Sequence, residues 1–339
     1  MPRRTSWTRP LLVLAAVAAL VSASGCGGPP QLPPGYAIVY GVSEYAHISS
    51  LRQPDGDAVA IASLLELHGY TIMGGGPRLS EEATKENLLA DFAAAAAVGP
   101  DSRFLFYFAG HGYGAGMNEH YGNPPFSQEW ADYLHSLEGT QASAGRDGAP
   151  SFLFLHEADP FFDVPLTIRE SIRTDELASL LTEVSSLHQI VVIDACHAGG
   201  FIGTDGSYDA VPSSYTGSGE GISGPDALNA ATLYLSYGAL PLGSERRPAT
   251  VIAAAGAREF SYEGAGFGFP NGVFTHFFLQ TPREADRDYD GYITVSEAYA
   301  YACAAIASEI NHQLSGTMQF LPRLSGGAVD FVLFRAQPR

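Results

Sequence analysis

Short, almost uninterrupted apolar runs recur along this chain, separated by stretches with helical spacing. Residues 36–42, 70–73, 103–108, 189–194, 250–254 and 329–334 read as strands. Their runs are nearly all apolar rather than alternating, so these strands are expected to be buried on both faces. Between them, Ala58, Ile61, Leu64 and Leu65 share one face of a helix over 57–68, which Gly69 stops. Ser80 is expected to open a second helix that runs to about Val98, with Glu81 and Glu82 in the first turn, where negative charge suits the helix dipole. Further helices are expected from about Thr174 to near Leu187, over 272–279 and over 294–313. Strands alternating with helices predict an α/β fold: a mostly parallel six-stranded sheet with helices on both faces. Two stretches break the rhythm and are expected as long loop insertions: 113–173, rich in aromatics, Gly and Pro, and 202–248, rich in Gly, Ser and Tyr.

The chain has 339 residues, 46% hydrophobic and 16% charged, ample for a large core. Its 36 Asp+Glu against 18 Lys+Arg give a formal charge of -18, which argues against nucleic acid and anionic lipid surfaces as partners and suits basic peptides. The first 26 residues change the picture. Arg3, Arg4 and Arg9 precede an apolar stretch over 11–21 that is too short for a comfortable membrane span, and small residues lead to Cys26. This is the pattern of an export signal. Its end resembles the lipobox of bacterial lipoproteins, with Ala23 where Leu is usual, and implies lipidation at Cys26 and a membrane anchor in the bacterial cell envelope, periplasmic or on the outer face. Residues 27–35, rich in Pro and Gly, read as a tether. With Cys26 lipidated and Cys196 reserved for chemistry, Cys303 has no disulfide partner and is expected as a small core residue.

Two of the apolar runs end in reactive residues. The run 104–108 is followed by Ala109-Gly110-His111-Gly112, and the run 189–193 by Asp194-Ala195-Cys196-His197. In sheets of parallel strands, chemistry gathers beyond the carboxyl ends of the strands. A thiol at one such end and an imidazole at its neighbour make a nucleophile and its base, because the attacking species is the thiolate. Of ten His, His111 alone has the Gly-His-Gly setting at a strand end, and His197, adjacent to Cys196, diverges from it. The N–H groups of Gly112 and Cys196 are the expected oxyanion hole.

Phe108-Ala-Gly-His-Gly together with Asp194-Ala-Cys-His-Ala-Gly-Gly resembles the caspase/metacaspase superfamily of cysteine peptidases, in particular its bacterial caspase-like members. The stretch 36–42, Leu51-Arg52 with Asp57-Ala58, 253–256 with Tyr262-Glu263, and 272–275 fit the same pattern. The resemblance implies one peptidase domain over 36–335: a large-subunit region over about 36–201, a linker over about 202–248 and a small-subunit region over about 249–335. His111 and Cys196 lie 85 residues apart, against roughly 50 in caspases, and the insertion accounts for the difference. In metacaspases an Asp two residues before the nucleophile and another at the first helix line a pocket for Arg or Lys. Asp194 and Asp57 match those positions, and Arg52 lies near where caspases carry a pocket Arg. The expected activity is therefore cysteine endopeptidase action on a protein or peptide after Arg or Lys, with no cofactor needed for the chemistry. A self-cleavage site is expected at Arg246, since Pro248 disfavours cutting after Arg247. The rival readings are a catalytically silent caspase-like scaffold tethered to a membrane, and a legumain- or gingipain-like peptidase with another pocket.

One motif stands outside that resemblance. Residues 286–297 fit D-x-D-x-D-G-x₅-E, which would offer Ca²⁺ the side chains of Asp286, Asp288, Asp290 and Glu297 and the Tyr292 carbonyl. The helix entering it is short and contains Pro282. Some metacaspases need Ca²⁺ through other residues, so that dependence does not carry over. No feature of the sequence bears on oligomeric state.

Overall fold

The computed structural model describes residues 31–114, 128–137, 151–196, 249–254, 261, 263–314, 320, 322–324 and 330–338. The chain divides into Met1–Pro33 and Pro34–Arg339, and the described elements belong to the second unit. They follow in the order β1 (Gly35–Gly41), α1 (Pro54–Leu67), β2 (Tyr70–Ile72), β3 (Arg78–Leu79), α2 (Lys85–Ala95), β4 (Arg103–Gly114), α3 (Gln128–Leu137), β5 (Ser151–Phe154), α4 (Val164–Arg169), β6 (Ser171–Arg173), α5 (Thr174–Glu183), β7 (His188–Cys196), β8 (Thr250–Ala253), α6 (Val273–Phe278), α7 (Thr281–Glu284), β9 (Tyr292–Thr294), α8 (Val295–Glu309), β10 (Arg323–Leu324) and β11 (Val332–Arg335).

The main sheet runs β10-β8-β7-β4-β1-β2, and β3, β5 and β6 extend it to nine strands. From β2 through β1, β4 and β7 to β8 every pairing is parallel. Only β10 on β8 and the β5 and β6 extension are antiparallel, so the sheet is mixed. Within each apolar strand successive side chains still point to opposite faces, as the period of two requires. Ile38, Tyr40, Phe104, Phe106, Phe108, Val191, Ile193 and Val251 meet α2 through Leu88 and Phe92 and α5 through Leu177 and Leu181. Ala37, Val39, Leu105, Tyr107, Ile190, Val192 and Ile252 meet α1 through Ala58, Ile61 and Leu65, α6 through Phe274 and Phe277, and α8 through Ala302 and Ile306. Helices cover both faces, as the sequence implies.

Several details depart from the expectation. The stretch 329–334 does not close the main sheet: β11 pairs with β9 in a separate two-stranded sheet, and β10 takes the edge beside β8. Ser80 opens only a 3-10 turn, Ser80–Glu82, and α2 begins after Thr84, whose hydroxyl accepts from Asn87 N at 3.2 Å. A hydroxyl cap there satisfies one of the first orphan amides of the helix, which the Glu-rich turn upstream cannot do. The helix expected to reach Leu187 ends at Glu183. The insertion 113–173 is not simply loop: its described residues carry α3, β5, α4 and β6. Tyr113, Trp130, Phe152 and Phe154 pack as one aromatic cluster, with Trp130 and Phe152 centroids 5.2 Å apart. Cys303 lies half-buried on α8 rather than inside the core. Residues 202–248 lie outside the described residues.

A buried polar clamp fixes the β1 side of the sheet. Asp91, 3% exposed on α2, accepts from Tyr40 Oη at 2.9 Å and from Arg78 Nε and Nη2 at 3.0 and 2.9 Å. Removing one partner of such a network leaves the others desolvated and unpaired. Asp91→Ala is expected to lower the unfolding free energy by about 3 kcal/mol in urea titrations, and Asp91→Asn, which can still accept from one donor, by roughly half as much.

Candidate active site

The expected reactive residues lie within strands, not in loops beyond them. β4 and β7 continue past their apolar runs, and the parallel register pairs Arg103 with His188 at one end and His111 with Cys196 at the other. Cys196 is the last residue of β7. Gly110 makes the passage to His111 possible. Its φ of +154° is one that side chains resist, and a Cβ there would stand 2.7 Å from Tyr45 Oη. Across Gly110 the alternation slips: Tyr107 and Ala109 belong to the α1 face, whereas Tyr113 belongs to the opposite one. His111 accordingly packs on Tyr45, with ring centroids 4.8 Å apart.

His111 is 3% exposed. Its backbone N–H donates to Tyr45 Oη at 2.7 Å, and Tyr45 Oη donates to the Phe154 carbonyl at 3.3 Å. Its Nε2 lies 2.8 Å from the Ser49 carbonyl. A carbonyl only accepts, so Nε2 carries the proton and Nδ1 is the basic nitrogen. Burial lowers the imidazole pKa to about 4, although the bond to Ser49 acts in the opposite direction. The ring is therefore neutral at working pH. The loop that carries Tyr45 and Ser49 is itself fastened: Ala46 N donates to the His156 carbonyl at 3.0 Å, Glu44 N to Ser80 Oγ at 2.9 Å, and Ser43 N to Asp55 Oδ1 at 3.0 Å. Gly112, expected in the oxyanion hole, lies in β4 opposite Leu153 of β5.

Beside this pair two carboxyls are buried together. Asp57, 2% exposed, does not cap α1, whose N-cap residue is Gln53. It accepts from Asn271 Nδ2 at 2.8 Å and Gly272 N at 3.1 Å. Asp194, 7% exposed, accepts from Thr275 Oγ1 at 2.6 Å, Thr275 N at 3.2 Å and Ser261 Oγ. Both reach the same point: a Cβ on Gly272 would lie 2.9 Å from Asp194 Oδ2 and 3.0 Å from Asp57 Oδ2. Burial pushes both carboxyls above the usual range, and for Asp57 the charges of Asp194 and Glu263 add to it. Tyr107 Oη shares a hydrogen bond of 2.7 Å with Thr275 Oγ1, and burial together with the two carboxylates drives its pKa well upward.

Arg52 is exposed, and the hydrogen bond that brings it to this corner comes from its backbone N–H, which donates to Glu263 Oε1. Gln53 N donates to the same oxygen at 2.7 Å. Gln53 also grips the loop before α6, donating to the Phe269 carbonyl at 2.9 Å and accepting from Gly264 N at 2.7 Å. Sequence reasoning assigned no role to Glu263, Asn271, Thr275 or Ser261. Glu263 and Thr275 sit inside quoted motifs, but nothing local marks them as partners of Asp57 and Asp194. Ser49 acts through its carbonyl and leaves no signal in residue type. Cys26 and Arg246 lie outside the described residues. Asp286, Asp288 and Asp290 gather in one cluster, and Glu297 closes a capping box with Thr294 at the start of α8.

The family model of the caspase domain matches residues 34–309. The chain belongs to the caspase-domain family, a family of cysteine peptidases. A Geobacter sulfurreducens protein of known structure is similar over 90% of this chain and 98% of its own, at 15% identity and a TM-score of 0.48. Caspase-1 from Spodoptera frugiperda is similar over 92% of this chain and 96% of its own, at 12% identity and a TM-score of 0.45. No curated protein matches the chain. The match to this caspase domain spans His111, Cys196, Asp57 and Asp194, and it stops short of β10 and β11.

The depressed pKa of His111 makes the caspase domain sensitive to acid in a defined window. A buried neutral imidazole stabilises the fold above its unfolded pKa near 6.5, and that contribution is lost as pH falls towards about 4. His111→Gln is expected to remove about 3 kcal/mol of the wild-type drop in unfolding free energy between pH 7 and pH 4, read from urea titrations at both pH values. Identical pH profiles for the two proteins would show that the imidazole is not buried in its neutral form.

Proposed function

We propose that this caspase domain is an endopeptidase that cleaves after Arg or Lys, with Cys196 as nucleophile and His111 as general base and acid. The observation that carries the reading is the backbone register that sets His111 opposite Cys196. His111 Nδ1 takes the thiol proton, and the sulfur attacks the scissile carbonyl, forming a C–S bond and an oxyanion held by the Gly112 and Cys196 N–H groups. As the C–N bond breaks, the same nitrogen returns the proton to the departing amine. Water, deprotonated by Nδ1, then hydrolyses the thioester. Proton transfer of this kind contributes roughly 10²–10⁴ in rate, and each oxyanion donor about 3 kcal/mol.

The buried carboxyls supply the preference for a basic residue. An entering guanidinium displaces the proton the pair holds and can bond both carboxylates, whereas an acidic side chain finds no cationic partner there. Fluorogenic peptides ending in Arg or Lys are expected to be cleaved at least about 100-fold faster, as kcat/KM, than peptides ending in Asp or Asn. Cys196→Ala is expected to leave no cleavage above background. Preferred cleavage after Asp, or unchanged cleavage by Cys196→Ala, refutes the assignment.

The raised carboxyl pKa values add a pH signature. In the empty pocket the pair retains a proton into the neutral range, and a cation must displace it. The affinity of a small guanidine inhibitor such as agmatine is therefore expected to strengthen from pH 6 to pH 9, and to lose most of that dependence in Asp57→Asn.

The same proposal places the enzyme outside the cytoplasm on a lipid anchor at Cys26, with the linker cut after Arg246. Cys26→Ser is expected to move the protein from the membrane fraction to the soluble one, and N-terminal sequencing of self-cut product is expected to begin at Arg247.

A further inference from the structure

We propose that Tyr45 is the positioning residue of the general base: its hydroxyl is built into the strand pairing at His111 and aims the imidazole. The inference rests on the assignment of His111 to the chemistry, and adds the device that holds the ring in place.

The strand β1 runs beside β4 only as far as Gly41 opposite Ala109, and β5 joins β4 only from Gly112 opposite Leu153. His111 lies in the gap between these two pairings. One step back along the β5 register it would face Phe154. Between these two residues stands Tyr45 Oη, which accepts from His111 N at 2.7 Å and donates to the Phe154 carbonyl at 3.3 Å. A hydroxyl can accept and donate at once, which neither a main-chain N–H nor a carbonyl can do. It therefore satisfies both main-chain groups while keeping the strands apart at this one step. Glycine at 110 leaves room for it, since a Cβ there would stand 2.7 Å from the same oxygen.

The ring of Tyr45 supports the ring of His111, with centroids 4.8 Å apart, and the Ser49 carbonyl meets Nε2 at 2.8 Å. One short loop thus sets the backbone of the base, the face of its ring and the rotation of that ring. Tyr45 is itself gripped on both sides by a single residue. The His156 carbonyl accepts from Ala46 N at 3.0 Å, and His156 Nδ1 donates to the Glu44 carbonyl at 2.6 Å. His156 follows directly after β5, so the aromatic insertion reaches the base through Tyr45.

Proton transfer between Nδ1 and the sulfur depends steeply on distance and direction, and a misplacement of about 1 Å can cost about 100-fold in rate. Loss of the hydroxyl leaves the His111 N–H without this acceptor and removes the spacer from Phe154. The backbone then shifts, and Nε2 leaves the Ser49 carbonyl that selects its proton.

The test uses the full chain. Tyr45→Phe keeps the ring and deletes only Oη. With fluorogenic Arg and Lys peptides, its kcat is expected to fall by about 10-fold to 100-fold, with KM within about twofold of wild type. Tyr40→Phe is the control: it deletes another buried hydroxyl, which donates to Asp91 at 2.9 Å, and is expected to lower the melting temperature while leaving kcat within about twofold. His156→Ala is expected to lower kcat in the same direction as Tyr45→Phe but less. A readout independent of turnover is the ring tautomer of His111, measured by NMR on ¹⁵N-histidine-labelled chain carrying Cys196→Ala and assigned by the signal lost in His111→Gln. Wild-type Tyr45 is expected to give the Nε2–H form, and Tyr45→Phe a mixture of both forms. Wild-type kcat in Tyr45→Phe, or an unchanged tautomer, would overturn the proposal. If the wild-type chain cleaves no peptide, the peptidase reading fails, and the tautomer comparison still decides whether Tyr45 aims His111.

Discussion

The parallel ladder between β4 and β7 is the constraint on which the rest of the structure depends. It runs without a break from Arg103 opposite His188 to His111 opposite Cys196. Its register is held far from the reactive end, by two cores at once. Phe104, Phe106 and Phe108 feed one face, and Leu105 and Tyr107 the other. A slip of one residue would turn both sets to the wrong side, so burial on both faces of the sheet sets which residue meets Cys196. The candidate dyad is in this sense a product of packing by residues that have no role in the chemistry.

The buried carboxyl pair shows the same dependence in another form. Two carboxyls 2% and 7% exposed are unfavourable neighbours, and the unfavourable terms are offset by donors from far along the chain. Asp57 comes from α1 and Asp194 from β7, but Ser261, Asn271, Gly272 and Thr275 all belong to the segment after β8. Glu263 returns the grip by accepting the backbone N–H groups of Arg52 and Gln53. The buried carboxyl pair thus joins α1 and β7 to the segment after β8. Burial nevertheless holds both carboxyls above the usual carboxylate range.

His111 illustrates the balance between burial and reactivity. Enclosure by Tyr45 and the strand end keeps the ring neutral, and the Ser49 carbonyl selects its tautomer. The loop that provides both groups is secured from α1, from the turn at Ser80 and from the segment after β5. That last contact gives the aromatic insertion a structural purpose: β5 continues the sheet beyond β4, and the aromatic cluster around Trp130 extends the core there.

By itself the sequence determined much of the frame. Continuous apolar runs specify strands buried on both faces, because burial is a property each residue carries with it. The runs at 103–108 and 189–194 located β4 and β7, and the Gly-His-Gly and Asp-Ala-Cys motifs at their ends singled out His111, Cys196 and Asp194. Asp57 was legible because it matched a family position and not because of its surroundings. Tertiary structure decided the rest. The antiparallel edge at β10, the removal of β11 to its own sheet, and the extension of β4 through Gly110 depend on which partner strand is near, and a partner's identity is not written in local pattern. The Ser49 carbonyl, present in every residue type, could not be distinguished until the chain brought it to His111. The protonation of Asp57, Asp194 and His111 came last, because desolvation exists only once the surrounding atoms have closed around a charge.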